Sequence, residues 1–491
     1  MSILKRRNFI VIFLVFLFGF SIPAYALPSE QSNAIQTLVD NAQRISRTPG
    51  MSVAVLVEGE AYFFSSGVAN HETEILANEE TLWELASVSK AFTALGLLYL
   101  EEQGLLSLTD SIEAYLPWLT LRYRGQPVDM ENVRLYHFLH HTVGITNQRH
   151  PNRILTRPGP DTLQNTVEAL IDAELVFFPG ERRVYGTKNY NVLGLVIEAV
   201  AGQSYESFME EHIFLPLGLT QTFANRDHAI ATNHMASGYT ITFNFMTLQR
   251  NSPEARGSVP TGYIISSTQD MARWMGIQLG LVDDIPEIFR AIIPRSHEQG
   301  KSVVGTDGSY YAAGWFVNED GSLIEHAGGN VGGFSTNILL FPNEQIGISL
   351  LSNGTSVNID MLHNVRDILD GSLQQRYPLD LVQILDIVFS VCTIAGIPLA
   401  ISFIFLGIRR KKQVIKRSFS KKRIVLISYW TISTLFMCVL LYLFPRVILS
   451  NYGWALTLSI APFYSFLTGI ISLVLLNASI TWFVVFPRCR K

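Results

Sequence analysis

Thr81-Leu82-Trp83-Glu84-Leu85-Ala86-Ser87-Val88-Ser89-Lys90 places a serine and a lysine three residues apart at the start of an apolar stretch. If the stretch is helical, residues i and i+3 share a face, so the Ser87 hydroxyl and the Lys90 amine come within hydrogen-bond reach. Ser87 then also lies beside the unpaired N–H groups at the helix N-terminus. A base and oxyanion donors are what a weak nucleophile requires. The stretch is therefore a candidate acyl-transfer site, and an ordinary helix N-terminus is the alternative that the pair alone leaves open.

The setting of this serine–lysine pair distinguishes it from a chance pair. The same spacing recurs at Ser418 and Lys421, but there it lies in a basic run between two apolar segments. The stretch after Ser87 instead has apolar residues at helical spacing, which predicts a buried helix face. The residues that define this face are Val88, Ala91, Phe92, Leu95, Leu98 and Tyr99.

Both ends of the chain carry membrane-targeting patterns. Residues 1–26 combine a basic start, a short apolar run and Ala24-Tyr25-Ala26, which is typical of a secretory signal peptide cleaved after Ala26. Residues 381–491 are predicted to form a membrane domain with about three transmembrane helices. The predicted spans are 387–408, 424–444 and 463–485.

Basic residues set the predicted orientation. Nine Lys and Arg residues lie between Arg409 and Arg423, in the loop after the first span, and such a loop is expected to be cytoplasmic. Three spans with a cytoplasmic C-terminus leave residues 27–380 outside the cell, which is also what the signal peptide predicts. The chain is thus expected to be a multi-pass protein of the cell membrane with an extracytoplasmic domain.

The charge of this outer domain excludes one class of partner. Between Leu27 and Asp386 there are 21 Lys and Arg residues against all 41 acidic residues of the chain, a net charge of about −20. A surface of this sign argues against nucleic-acid binding. The lipid bilayer is the expected partner of the basic loop; the sequence identifies no protein partner.

Cysteine usage excludes further chemistry. The three cysteines are Cys392, Cys438 and Cys489, so residues 27–386 can form no disulfide, thiolate zinc site or cysteine nucleophile. His137, His140 and His141 are close enough in sequence to suggest a metal site, but we expect them to be structural. No metal and no cofactor are expected.

Strand-like runs occur at both ends of the outer domain, and helical patterns fill its middle. This order predicts an α+β domain whose sheet uses both chain ends. The runs are Met51–Val57, Ala61–Val68, Tyr311–Val317, Leu323–His326, Ser335–Phe341 and Gly347–Asn353.

Six stretches in a fixed order make residues 27–380 resemble the serine β-lactamase and penicillin-binding-protein family, in its class C-like branch. The resemblance implies an antiparallel sheet flanked by helices, with an all-helical region beside it. The stretches are Trp83–Lys90; Leu108-Thr109-Asp110 with Tyr115-Leu116-Pro117; Val133–Ile145; Phe178-Pro179-Gly180 with Tyr185–Gly194; Pro216-Leu217-Gly218-Leu219; and His326-Ala327-Gly328-Gly329 with Gly333-Phe334.

The resemblance also implies roles for single residues. Ser87 would be the acylated nucleophile and Lys90 its proton partner, while Tyr185, the tyrosine of a Tyr-x-Asn motif, would share the acid–base work. The backbone N–H groups of Ser87 and Gly329 would form the oxyanion hole. The residues that would contact substrate are Thr187, His326, Ala327 and Gly328.

Two positions depart from the family pattern. Thr187 occupies the usual Asn position of Tyr-x-Asn, and a hydroxyl offers less to a substrate amide than a carboxamide does. Asn189 could replace it only through a local shift in register. His326 occupies a position often held by Lys, so a permanent positive charge for a substrate carboxylate is missing. Both changes favour a less specialised hydrolase.

The function predicted from the sequence is a membrane-anchored extracytoplasmic serine hydrolase that forms an acyl-enzyme with a small peptide, amide or ester. Cell-wall-derived compounds are the first candidates for substrates. A penicillin-binding DD-carboxypeptidase or β-lactamase remains open as an alternative. A membrane-tethered sensor of the same fold, without turnover, is the alternative from another class. A transporter fits poorly, because the spans contain no acidic residue.

Overall fold

The computed structural model describes residues 27–147, 149–150, 162–243, 246–250, 256–354, 360–371, 381–411, 428 and 463–485. The predicted signal peptide and nearly all of the predicted span 424–444 lie outside these residues.

The described strands are numbered in chain order. They are β1 (Gly50–Val57), β2 (Glu60–Asn70), β3 (Ile75–Leu76), β4 (Trp83–Glu84), β5 (Leu121–Tyr123), β6 (Gln126–Pro127), β7 (Ala173–Glu174), β8 (Gly238–Thr242), β9 (Met246–Arg250), β10 (Ile265–Ser266), β11 (Tyr310–Tyr311), β12 (Phe316–Val317), β13 (Ile324–Gly329), β14 (Ser335–Phe341) and β15 (Ile346–Ser352).

The described α-helices follow the same order. They are α1 (Ser29–Ser46), α2 (Ser89–Glu102), α3 (Leu135–Leu139), α4 (Thr162–Glu168), α5 (Lys188–Ala201), α6 (Tyr205–Met209), α7 (Arg226–Ala231), α8 (Val259–Gly262), α9 (Thr268–Gln278), α10 (Glu287–His297), α11 (Asp360–Leu369), α12 (Leu381–Lys411) and α13 (Phe463–Val485).

An eight-stranded sheet joins the two ends of the outer domain, in the order β11-β12-β13-β14-β15-β1-β2-β3. All of its neighbouring strands are antiparallel. The prediction of an α+β domain whose sheet uses both chain ends is therefore confirmed. The sheet brings β13, which carries the His326-Ala327-Gly328-Gly329 stretch, beside the turn that contains Ser87.

The sheet separates two apolar layers. Strand β1 is buried along its whole length, and its side chains alternate between the layers, as the pleat requires. Val53 and Val55 pack in the layer formed with α1 and α11. Ala54 and Leu56 pack in the larger layer that contains α2 and the helical region.

The strand predicted over Tyr311–Val317 is wrong in its extent. Two short strands, β11 and β12, pair with each other there, and a turn separates them. Gly314 in this turn has φ +85°, and a Cβ on it would lie 2.4 Å from Ala91 Cα. Only glycine accepts both this backbone conformation and this close approach.

Within the part of the chain that the structure describes, the C-terminal region contains one helical stretch, Asp386–Leu406 within α12, that is long and apolar enough to span a membrane by length and composition. Helix α13 coincides with the predicted span 463–485, and its stretch Thr468–Ile480 is apolar. The Thr393 and Thr468 hydroxyls are 3.1 Å apart, so the two helices contact each other. Three transmembrane helices therefore remain a prediction.

Candidate active site

The Ser87 turn connects β4 to α2. Ser87 lies in a short 3₁₀ turn, Ala86–Val88, and the α-helix begins at Ser89, slightly later than the sequence predicts. Ala86 has φ +46°, in the left-handed region that non-glycine residues rarely adopt. Backbone strain of this kind is often concentrated at functional sites. Leu85 N–H donates to Ile264 O at 2.8 Å and fixes the start of the turn.

Lys90 is the buried partner of Ser87. Its side chain is 0% exposed, and Nζ donates to Ser87 Oγ at 3.0 Å and to Thr261 O at 2.7 Å. Burial holds the pKa of Lys90 well below its usual range, because the low-dielectric interior disfavours the charged amine. In the neutral state the amine lone pair can accept the Ser87 hydroxyl proton across the same contact. The chemistry available here is proton abstraction from a serine.

Tyr185 lies on the other side of Lys90. Lys90 Nζ is 5.0 Å from the centroid of the half-buried Tyr185 ring. The next residue is held close to the loop after α3, because a Cβ on Gly186 would lie 2.1 Å from Ile145 O. Glycine at position 186 therefore lets the Tyr185-Gly186-Thr187 backbone pack directly on this loop.

The third residue of the motif, Thr187, is anchored through its backbone. Its N–H donates to Asn147 Oδ1 at 2.7 Å, and its carbonyl accepts from Thr261 Oγ1 at 2.5 Å. Asn189 does not take the motif position. It is 0% exposed, and its Nδ2 lies 3.0 Å from His141 Nδ1.

His326 points into the protein interior. It is 1% exposed; Nε2 lies 3.1 Å from the Tyr311 hydroxyl and Nδ1 lies 2.8 Å from Ala327 O. A carbonyl oxygen can only accept, so Nδ1 carries the proton and Nε2 accepts from Tyr311. Burial, together with the proximity of the Lys90 amine, lowers the pKa of His326 to about 3. The neutral ring offers no positive charge to a ligand, and its contact with substrate stays a prediction.

The glycines of β13 contact the nucleophile turn. A Cβ on Gly328 would lie 2.6 Å from Ser87 N, so this position requires glycine. Ala327 and Gly329 are exposed. Strand β12 pairs only with Ile324 and Glu325. Among the described residues, the rest of β13 has no neighbouring strand on that side.

The sequence reasoning missed several residues around Lys90. Thr261 supplies the backbone carbonyl that Lys90 binds, although it lies 171 residues away in sequence. Tyr311, which the sequence suggested as part of a strand, is fully buried against His326. His141 belongs to the same cluster, with its ring centroid 4.3 Å from that of Tyr185. Burial, with nearby Lys90 and His326, holds the pKa of His141 well below its usual range.

No metal site is apparent around these histidines. Among the described residues, no group of three or more His, Cys, Asp or Glu side chains is placed to hold a metal ion. His140 Nδ1 lies 2.9 Å from Tyr311 O, and His137 Nδ1 accepts from Arg134 N at 3.0 Å. Both rings therefore serve local structure.

Comparisons with known proteins agree with this fold. A family profile described as Beta-lactamase matches residues 35–371. Protein flp of Staphylococcus aureus strain MW2 is 27% identical over 474 residues, which cover 94% of this chain and 92% of that protein. A β-lactamase of Yersinia enterocolitica is 25% identical over 389 residues, covering 71% of this chain and 95% of that protein.

A solved structure supports the same assignment at the level of the fold. The β-lactamase/D-alanine carboxypeptidase of Pseudomonas syringae superimposes with a TM-score of 0.58 at 21% identity, covering 70% of this chain and 99% of that one. The architecture is thus that of β-lactamases and penicillin-binding proteins, whose members are generally serine hydrolases. With a profile match over most of its length, the chain belongs to the Beta-lactamase family.

Proposed function

We propose that this protein is a membrane-anchored, extracytoplasmic serine hydrolase that acts through an acyl-enzyme on small peptides, amides or esters. The observation that carries the proposal is the fully buried Lys90, whose Nζ lies 3.0 Å from Ser87 Oγ. A buried amine with a lowered pKa is a suitable base for a serine nucleophile.

The proposal also assigns proton transfer, oxyanion stabilisation and substrate binding to residues around Ser87. Neutral Lys90 takes the Ser87 proton as Oγ attacks the substrate carbonyl, and the proton passes to the leaving group with help from Tyr185. The N–H groups of Ser87 and Gly329 stabilise the oxyanion, a role supported by the close approach of Gly328 to Ser87. Water then attacks the acyl-enzyme and regenerates Ser87. Ala327 and the edge of β13 that β12 does not cover bind substrate backbone.

Intact-mass spectrometry of the full-length protein in detergent tests this function. We expect a fluorophosphonate to add one adduct to the wild type and none to Ser87→Ala, and we expect the wild type to turn over a small acyl ester. Ser418→Ala removes the serine of the second serine–lysine pair and serves as the matched control, with wild-type labelling expected. A folded wild type that forms no adduct and hydrolyses no ester contradicts the proposal.

A second candidate is a penicillin-binding carboxypeptidase or β-lactamase, which the similarity to the Yersinia β-lactamase favours. A fluorescent penicillin in the same experiment decides between the two. A stable adduct on Ser87 supports a penicillin-binding protein, and rapid loss of the adduct with ring-opened product supports a β-lactamase. The neutral His326 favours the broader hydrolase, since it cannot hold a substrate carboxylate by charge.

The proposed membrane topology is tested separately by cysteine labelling in intact cells. Lys301 is exposed on the outer domain, so Lys301→Cys should react with a membrane-impermeant maleimide. The native Cys489, in the C-terminal tail, should react only after permeabilisation. Labelling of Cys489 in intact cells would contradict a cytoplasmic C-terminus.

A further inference from the structure

Thr187 occupies the position at which the family pattern has an Asn, so no carboxamide is present there. The hydrogen bonds of the Thr187 backbone point to another carboxamide nearby. Both main-chain polar groups of Thr187 are occupied, the N–H by Asn147 Oδ1 and the carbonyl by Thr261 Oγ1. A short hydroxyl is all that this residue can offer to a ligand. The side chain bonded to its N–H is itself a carboxamide, that of Asn147.

The orientation of the Asn147 amide is determined by its partner. A backbone N–H can only donate, so the atom 2.7 Å from Thr187 N must be the amide oxygen. The amide nitrogen then lies on the other branch of the planar group with two N–H donors. Among the described residues, this nitrogen has no hydrogen-bond partner. Asn147 is 8% exposed, so the group is held in place by its surroundings and still touches solvent.

A continuous series of hydrogen bonds fixes Asn147 relative to the nucleophile. Ser87 Oγ binds Lys90 Nζ at 3.0 Å, Lys90 Nζ binds Thr261 O at 2.7 Å, and Thr261 Oγ1 binds Thr187 O at 2.5 Å. Asn147 binds the N–H of the same Thr187. The carboxamide thus belongs to the hydrogen-bonded frame that positions Ser87 and Lys90.

We propose that Asn147 is a substrate-binding residue, and that its Nδ2 donates to the carbonyl oxygen of an amide on the acyl side of the substrate. It thereby performs, from a different loop, the task that the missing motif Asn would perform. The substrate class this implies is an ester or amide of an N-acylated amino acid. The inference rests on the proposed hydrolase function of Ser87.

Two esters of equal length test the proposal with the full-length protein. One is the para-nitrophenyl ester of N-acetylglycine, which carries the acyl-side amide, and the other is the para-nitrophenyl ester of pentanoic acid, which lacks it. The quantity compared is the ratio of kcat/KM for the first ester to that for the second. A general loss of activity cancels in this ratio, whereas loss of a contact to the amide does not.

Asn147→Asp keeps an oxygen for the Thr187 N–H and removes the two donors. We expect the ratio to fall about tenfold or more, because one hydrogen bond to the substrate amide is lost. Asn147→Ser, which adds no charge, should lower the ratio in the same direction. In the double variant Asn147→Ala/Thr187→Asn, the family's motif residue returns, and we expect the ratio to recover relative to Asn147→Ala.

The outcomes separate this proposal from the proposed function. If Asn147→Asp and Asn147→Ser lower kcat/KM equally for both esters, Asn147 only supports Thr187 and the inference is overturned, while the hydrolase function stands. If the wild type hydrolyses neither ester and its Ser87 takes no fluorophosphonate, the hydrolase function fails and the inference fails with it.

Discussion

The nucleophile side and the binding side of the candidate site differ in how far they keep the family pattern. On the nucleophile side, Ser87, Lys90 and Tyr185 match it, and Lys90 contacts both Ser87 Oγ and the Tyr185 ring. On the binding side, Thr187 replaces an Asn, and His326 is a buried neutral ring bonded to Tyr311. The residues proposed to perform the acyl transfer are present, and the residues expected to select the substrate are changed.

This difference indicates what the site can recognise. Acyl transfer needs a base and oxyanion donors, which are the same for many substrates. Selectivity needs specific charges and hydrogen-bond donors, and a substrate that leaves a buried polar group of the site unpaired is strongly rejected. Because His326 offers no charge, we expect selection to depend on hydrogen bonds to the substrate backbone rather than on a terminal carboxylate.

The largest effect should come from the base. Lys90→Met keeps the side-chain volume and removes the amine, and we expect kcat/KM for the best ester to fall about 10³-fold, because Ser87 loses its proton acceptor. In the wild type, kcat/KM should rise with pH through an apparent pKa well below the usual lysine value, since only neutral Lys90 acts as a base. Steady-state rates over a pH series measure both.

The control for this variant is Lys301→Met, at an exposed lysine of the same domain, which should stay within about twofold of wild type. Wild-type hydrolysis by Lys90→Met would show that the contact between Lys90 and Ser87 has no role in catalysis.

A smaller effect is expected from the tyrosine. Tyr185→Phe removes one hydroxyl next to Lys90, and we expect kcat to fall about 10²-fold because proton transfer to the leaving group loses a participant. Tyr190→Phe is a matched control, since Tyr190 also lies near Lys90 but its hydroxyl donates to Leu139 O at 3.0 Å. Equal losses in the two variants would argue that Tyr185 only packs against Lys90.

The nucleophile side was also the part that the sequence predicted best. A serine and a lysine three residues apart imply a contact through local geometry alone, and the contact is present. The helix was expected to bury one face, but every residue of α2 from Ser89 to Leu98 is buried. Helical periodicity cannot predict this, because a helix surrounded by protein has no polar face to reveal its orientation.

The binding side could not be predicted because it depends on contacts between distant segments. Thr261 and Asn147 reach Thr187 from elements 74 and 40 residues away, and no local pattern marks either residue. The neutrality of His326 arises from burial and from Tyr311, which the sequence places only in a nearby strand. The motif position of His326 thus predicted where the residue lies, whereas its charge state could not be predicted from the sequence.

The loop contact at Gly186 should give an intermediate effect on both sides of the site. A Cβ at this position would lie 2.1 Å from Ile145 O, so Gly186→Ala must displace the backbone that carries Tyr185 and Thr187. We expect kcat/KM to fall about tenfold and Tm to decrease, as for other overpacked positions. Gly262→Ala is the control, because a Cβ at this position would lie 3.7 Å from the nearest atoms of Ala86, an ordinary van der Waals contact. Equal behaviour of the two variants would contradict tight packing at Gly186.

The smallest expected effect concerns the neutral state of His326 and is seen in stability at acidic pH. The pKa of His326 is about 3 in the native protein and about 6.5 in the unfolded chain. Between these values the unfolded chain binds a proton that the native protein does not. The contribution of neutral His326 to the free energy of unfolding is therefore fully present above pH 6.5 and decreases as the pH falls toward 3.

His326→Gln removes this contribution. We expect its Tm to fall less than the wild-type Tm between pH 7 and pH 4.5, by about 2–5 °C, in thermal unfolding followed by intrinsic fluorescence. An equal fall in both proteins would mean that His326 binds its second proton as readily in the native protein as in the unfolded chain. The binding side would then offer, at acidic pH, the positive charge that a substrate carboxylate needs.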